Sequence, residues 1–129
     1  YALKANTTNN NSAFGRSALL NNTTGTNNSA FGNGSLASNT IGNSNSAFGY
    51  QALKNNTTNN NNAFGYQALT ANTTGANNVA IGSGYTAATS ALYSNTTATS
   101  CNAVGYQALY TNSTGILNIA INPHLLILK

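Results

Sequence analysis

The sequence predicts an all-β chain wound as a β-solenoid, or β-roll, of about seven coils with mostly 17 residues per coil and an apolar C-terminal tail. Three observations carry that prediction. An Ala-apolar-Gly triplet returns at nearly constant spacing, a Leu and two Asn return with it in fixed phase, and the residues between them are those of turns. The triplet stands at Ala13-Phe14-Gly15, Ala30-Phe31-Gly32, Ala47-Phe48-Gly49, Ala63-Phe64-Gly65, Ala80-Ile81-Gly82 and Ala103-Val104-Gly105, with Ala120-Ile121-Asn122 a seventh copy ending in Asn. Successive copies lie 17, 17, 16, 17, 23 and 17 residues apart. The long interval holds a six-residue insertion around Gly84 to Ser90, expected as a protruding loop.

Between triplets, Leu3, Leu19, Leu36, Leu53, Leu69, Leu92 and Leu109 fill one position without exception. Three residues after each comes Asn6, Asn22, Asn39, Asn56, Asn72, Asn95 or Asn112, followed by Thr or Ser. A second Asn position, four residues before the glycine, is held by Asn11, Asn28, Asn45, Asn61, Asn78 and Asn118, with Cys101 the single break. A 17-residue unit is too short for a helical-hairpin repeat, and Asn, Thr and Gly are poor helix formers. Short strands of about 4–5 residues joined by Asn- and Gly-rich turns fit better. One unit buries a few apolar side chains worth roughly 2–3 kcal/mol each, whereas ordering it costs on the order of 20 kcal/mol. Units must therefore stack, at about 4.8 Å per coil, into a rod roughly 30–35 Å long.

Stacking sets each side chain above its own kind, so the Asn positions are expected to form a structural ladder. The Leu row is expected to form the dry core together with Phe14, Phe31, Phe48, Phe64, Ile81, Val104 and Ile121. Stacked like charges repel, which accounts for the absence of Asp and Glu. The same absence excludes carboxylate acid–base pairs, carboxylate-oriented triads and Walker-type magnesium sites. One His and one Cys do not close a four-ligand zinc site. The expectation is a non-enzymatic chain with no cofactor and no metal. Lys4, Arg16, Lys54 and Lys129 are scattered, whereas nucleic-acid binding needs clustered phosphate contacts, so no nucleic acid is expected as partner. A polar, low-complexity composition of 26 Asn, 18 Thr and 12 Ser suits disorder; the fixed phase of the apolar residues argues for order. No apolar stretch is long enough to span a bilayer.

The segment Asn78-Val79-Ala80-Ile81-Gly82-Ser83-Gly84-Tyr85-Thr86-Ala87 resembles the Asn-x-Val-Ala-Ile-Gly signature of trimeric autotransporter adhesin heads. Gly105-Tyr106-Gln107-Ala108-Leu109-Tyr110-Thr111-Asn112-Ser113-Thr114-Gly115 resembles repeats of bacterial and phage tail fibres. The resemblance runs through nearly the whole chain up to Asn122. It implies a β-roll on the outside of a cell or virion, often trimeric and used for attachment.

The repeat occupies residues 1–122 and the apolar tail residues 123–129. Tyr1-Ala2-Leu3 enters in mid-repeat without an initiator Met, which reads as a processed chain or a segment of a longer one. The tail, Leu125, Leu126, Ile127 and Leu128 before Lys129, is expected either to cap the last coil or to contact another subunit. In the second case it docks, with Tyr1, onto the next copy as a head-to-tail homopolymer, or it joins a homotrimer. His124 is expected at such a contact rather than as a ligand.

N-glycosylation sequons fall at Asn6, Asn22, Asn56, Asn72, Asn95 and Asn112, and also at Asn10, Asn21, Asn27 and Asn55. Turn geometry and ladders explain the same residues without glycans. Cys101 is expected to pack as a small buried group. Tyr50, Tyr66 and Tyr106 form either a packed ladder or a sugar-binding strip. The functional expectation is a structural subunit of an extracellular fibre. The alternatives are an adhesin or tail-fibre head module that binds a surface receptor or glycan, with the Gly84 to Ser90 loop as its candidate contact, and an ice-binding solenoid. Against ice binding, adjacent threonines on a strand point to opposite faces.

Overall fold

The computed structural model describes residues 1–82, 84 and 89–121. Seven strands, β1 (Ser12–Phe14), β2 (Ser29–Phe31), β3 (Ser46–Phe48), β4 (Asn62–Phe64), β5 (Val79–Ile81), β6 (Asn102–Val104) and β7 (Ile119–Ile121), form one parallel sheet in chain order. Each coil returns in register, Ala13 on Ala30, Ala47 on Ala63 and Ala103 on Ala120. The seven strands delimit six complete turns of a β-solenoid. The insertion leaves the register untouched, because Ala80 pairs with Ala103 across it.

The strands are three residues long, shorter than the sequence suggests, because backbone turns close in on both sides. The residue two before each strand is left-handed, as at Asn27 (φ 60°) and Asn60 (φ 60°), a conformation that Asn tolerates. The glycine that follows each of the first six strands has φ between 117° and 143°, which L side chains rarely adopt. Space forbids a side chain there as well: a Cβ at Gly32 would stand 2.4 Å from the carbonyl oxygen of Gly49 on the next coil.

The leucine row is also left-handed, with φ of 51° at Leu3, 48° at Leu19, 49° at Leu36, 52° at Leu53, 53° at Leu69, 48° at Leu92 and 50° at Leu109. That conformation is uncommon for any residue with a Cβ and a true outlier for a β-branched one. Leu supplies aliphatic bulk branched at Cγ rather than at Cβ, which explains why neither Ile nor Val ever takes this place. The turn aims the side chain inward, and Leu19, Leu36, Leu53, Leu69 and Leu92 are fully buried, while Leu3 and Leu109 are partly buried.

The remaining core differs from the expectation. Each strand has a single inward position, and alanine fills it: Ala30, Ala47, Ala63, Ala80 and Ala103 are fully buried. Phe14, Phe31, Phe48, Phe64, Ile81, Val104 and Ile121 point outward, from 36% exposed at Phe48 to 75% at Phe14. Period-two alternation demands this once Ala faces in, since the residue after it must face out. The interior is too narrow for two large rows. Leucine from the turn, alanine from the strand and asparagine from the corners fill it.

Candidate functional site: two amide ladders and an outer aromatic row

The first ladder precedes the strands. The backbone N–H of Asn28 donates to Asn11 Oδ1 (2.9 Å), that of Asn45 to Asn28 Oδ1 (3.0 Å), that of Asn61 to Asn45 Oδ1 (3.0 Å) and that of Asn78 to Asn61 Oδ1 (3.0 Å). Each Nδ2 then donates to a carbonyl on the following coil: Asn11 to Gly25 (2.8 Å), Asn28 to Gly42 (2.8 Å), Asn61 to Gly75 (2.9 Å) and Asn78 to Ala98 (2.8 Å). Both ends of the amide are used, as a fully buried polar group requires. Cys101 is buried and free in this row. Its N–H completes the rung to Asn78 Oδ1 (2.9 Å), and its thiol reaches the Gly115 carbonyl (3.1 Å) that an Asn Nδ2 would otherwise meet. A thiol has no amide oxygen to offer the next rung at Asn118, whose Nδ2 donates to Asn112 Oδ1 (3.1 Å).

The second ladder lies at the corner after the leucine. Asn22 Nδ2 donates to Asn6 Oδ1 (2.6 Å), Asn39 to Asn22 (2.9 Å), Asn72 to Asn56 (2.7 Å) and Asn95 to Asn72 (3.0 Å). The same amides close their own turns: Asn22 Nδ2 reaches Gly25 O (2.9 Å) and Asn72 Nδ2 reaches Gly75 O (2.8 Å). Asn22, Asn56, Asn72 and Asn95 of the sequon set are fully buried with their amides committed inward, the places that turn geometry and ladders account for. Asn6 and Asn112 are half-buried and donate to Thr8 O (2.7 Å) and Gly115 O (3.1 Å). Asn10, Asn21, Asn27 and Asn55 are the exposed members of the sequon set.

The corner also explains the two coils that run one residue short. Where the turn is long, glycine holds the place at Gly25, Gly42, Gly75 and Gly115, and a Cβ at Gly75 would stand 2.2 Å from the Ala98 carbonyl oxygen; the corner before Cys101 alone carries Ala98 there. Where the turn loses a residue, Thr8 and Thr58 take the place, and their hydroxyls donate upward to Gly25 O (2.6 Å) and Gly75 O (2.6 Å). The change of turn length leaves a gap below the second short corner. Asn56 Nδ2 donates to Thr58 O (2.9 Å), and the buried Asn39 Oδ1 on the coil beneath has no partner.

Outside the corner run two threonine rows. The expectation that adjacent threonines face opposite ways fails here, because Thr23 and Thr24, like Thr73 and Thr74, are both exposed. They sit in a bend, where strand alternation does not apply. The first row ties coils together: the hydroxyls of Thr7, Thr23, Thr57 and Thr73 donate to the carbonyls of Thr23 (2.7 Å), Thr40 (3.0 Å), Thr73 (2.9 Å) and Thr96 (3.1 Å).

On the strand face, the outward phenylalanines stack. Phe31 lies 4.9 Å from Phe48 with 6° between planes, and Phe48 lies 4.9 Å from Phe64 with 3°. Beyond the glycine row, Tyr50 stacks on Tyr66 at 5.2 Å and 15°, and Tyr106 belongs to the same row. Flat rings side by side would collide at such spacings, so the rings overlap face to face along the rod and turn edges toward solvent. A sugar-stacking strip needs free ring faces, and Tyr50 and Tyr66 each turn one face to the other. On an adjacent outer row, Tyr93 and Tyr110 stack at 5.8 Å. Gln67 Nε2 donates to Gln51 Oε1 (2.7 Å), a further rung beside the tyrosines.

Tyr1 is exposed at 91%. His124, Leu125, Leu126, Ile127 and Leu128 lie outside the described residues, as does most of the Gly84 to Ser90 insertion. Among the described residues, no group of three or more His, Cys, Asp or Glu comes together, and no helix is long and apolar enough to cross a membrane. The features that sequence reasoning missed are the inward alanine row, the left-handed leucines and the exchange of glycine for threonine at the short corners. The last had a visible signal, since both 16-residue leucine spacings, Leu3 to Leu19 and Leu53 to Leu69, contain Asn-Thr-Thr-Asn in place of Asn-Thr-Thr-Gly. No family model, curated protein or solved structure matches the chain, so what stands is a β-solenoid repeat protein of stacked parallel coils.

Proposed function

We propose that the chain is a structural subunit of an extracellular fibre or filament, one that self-assembles by stacking of its β-solenoid coils. One observation supports this reading above the others: the same kinds of bond recur between coils along the rod. Backbone N–H to asparagine Oδ1, asparagine Nδ2 to a carbonyl of the next coil and threonine hydroxyl to the next carbonyl return from the first coils to Ser113, with interruptions at Asn39 and after Cys101. A coil of one copy therefore offers a coil of another the donors and acceptors it uses internally. Identical amide and apolar rows without like charges are the composition that tolerates indefinite stacking. Electron microscopy of native material tests the proposal. Filaments with an axial repeat of one rod, roughly 30–35 Å, are expected, and removal of Leu125 to Lys129 should abolish them. Discrete short particles at every concentration would overturn the reading.

A second reading, attachment through a displayed loop, is favoured by the insertion. The register between β5 and β6 is kept across it, and at its end the Ser90 hydroxyl is anchored to the Tyr66 carbonyl. A rigid rod that carries a loop without distortion suits display of a binding segment. Replacing residues 84–90 should then spare assembly and abolish binding to a cell or glycan surface.

A further inference from the structure

We infer that the outer row from Phe14 to Ile121 is a lateral contact surface, and that its occupant is another copy of this chain lying alongside. This adds a sideways contact to the end-to-end stacking proposed above, and it rests on that reading only in taking a second copy as partner. The row is continuous over all seven strands, because the residue after each inward alanine is Phe, Ile or Val and never polar. The internal members remain about two-fifths exposed even when stacked, as at Phe31 (40%), Phe64 (40%) and Ile81 (42%). With a large side chain near 200 Å², the row leaves roughly 600 Å² of apolar surface in solvent. Tyr50, Tyr66 and Tyr106, across the glycines, are each about 40% exposed, which adds roughly 250 Å² on the same basis.

That total exceeds the roughly 300–600 Å² that a monomer's largest apolar patch reaches. It matches the roughly 800 Å² per partner of a stable protein interface. The chemistry fits a copy better than a charged partner. Of the charged side chains among the described residues, Lys4, Arg16 and Lys54, none lies in the Phe14 to Ile121 row, and Arg16 alone enters the flanking row, at the first-coil position that Tyr50, Tyr66 and Tyr106 hold in later coils. A straight row parallel to the rod axis is also complementary to itself, because a second rod presents the same spacing of 4.9 Å between ring centres. The partner row brings apolar atoms to the exposed ring edges, and the Phe14 to Ile121 row itself holds no charge to desolvate.

Phe64 is the fourth of the seven positions, so a cysteine there meets its own counterpart whether two rods run parallel or antiparallel. The test uses the full chain. In a Cys101→Ala background, Phe64→Cys should cross-link to covalent oligomers with a short bismaleimide, whereas Thr73→Cys on the threonine corner should remain at 13.2 kDa. Sedimentation of the otherwise unaltered protein should give a multiple of that mass, and the triple variant F31S/F48S/F64S should weaken association at least a hundredfold. A protein that sediments as a monomer at micromolar concentration overturns the inference. So does an assembly that the triple variant leaves intact, or one that cross-links equally through Thr73→Cys. Filaments that persist in the triple variant would leave end-to-end stacking in place and remove the lateral contact alone. Should the triple variant fail to fold, the Phe64→Cys cross-link decides the matter.

Discussion

Two apolar positions recur in every coil and behave in opposite ways. The position after the turn is leucine seven times out of seven, left-handed throughout and fully buried from Leu19 to Leu92. The position after the strand alanine drifts from Phe to Ile to Val and is exposed throughout. An outward position asks only for apolar bulk, whereas the inward one asks for a side chain of fixed size on a backbone angle that few residues accept. Strict identity among coils therefore marks conformation and burial together.

Five substitutions break or sharpen that contrast. Leu53→Ala, which empties the centre of the core, should cost about 2–5 kcal/mol, read as a lower denaturation midpoint. Leu53→Ile keeps the volume and moves the branch to Cβ. It should still cost roughly 1–3 kcal/mol, because a β-branched residue is strained at this angle, whereas Phe64→Ile should be mild. Near-neutral Leu53→Ile would remove the conformational half of the explanation. Cys101→Asn should stabilise by about 0.5–1.5 kcal/mol, since an amide there restores the rung to the Gly115 carbonyl and offers an oxygen to Asn118. Unchanged or lower stability on thermal melting would show that the site has adapted to sulfur. Phe48→Ser should lower the stability of an isolated chain by about 0.5–1.5 kcal/mol, the worth of the ring stacking it removes, less than Leu53→Ala, while it weakens association between copies.

The corners offer a second lesson in legibility. The Asn-Thr-Thr tripeptide reads as a sequon, and in the fold its asparagine is a buried rung. Asn21 and Asn55, one residue earlier, are the members of that pattern left in solvent. Nothing in the tripeptide separates the two, because the distinction comes from the turn that aims Asn22 and Asn56 inward. The threonine rows are similar. Alternation was the natural rule for adjacent residues, but a bend carries both outward. The unpartnered Asn39 Oδ1 was equally hidden, since it arises where a long corner lies beneath a short one.

The sequence by itself determined the repeat, its coil length, the parallel stacking, the uncharged amide-rich interior and the place of the insertion. These follow from periodicity and from the need of each unit to share its edges. Which apolar row enters the core was decided only by the tertiary structure. Each strand spans three residues and has one inward side chain, and the narrow interior gives that place to alanine. The left-handed turn then delivers leucine from the other side. Phenylalanine, a larger apolar side chain than the leucine of the unit, is left on the surface because the coil has no room for it.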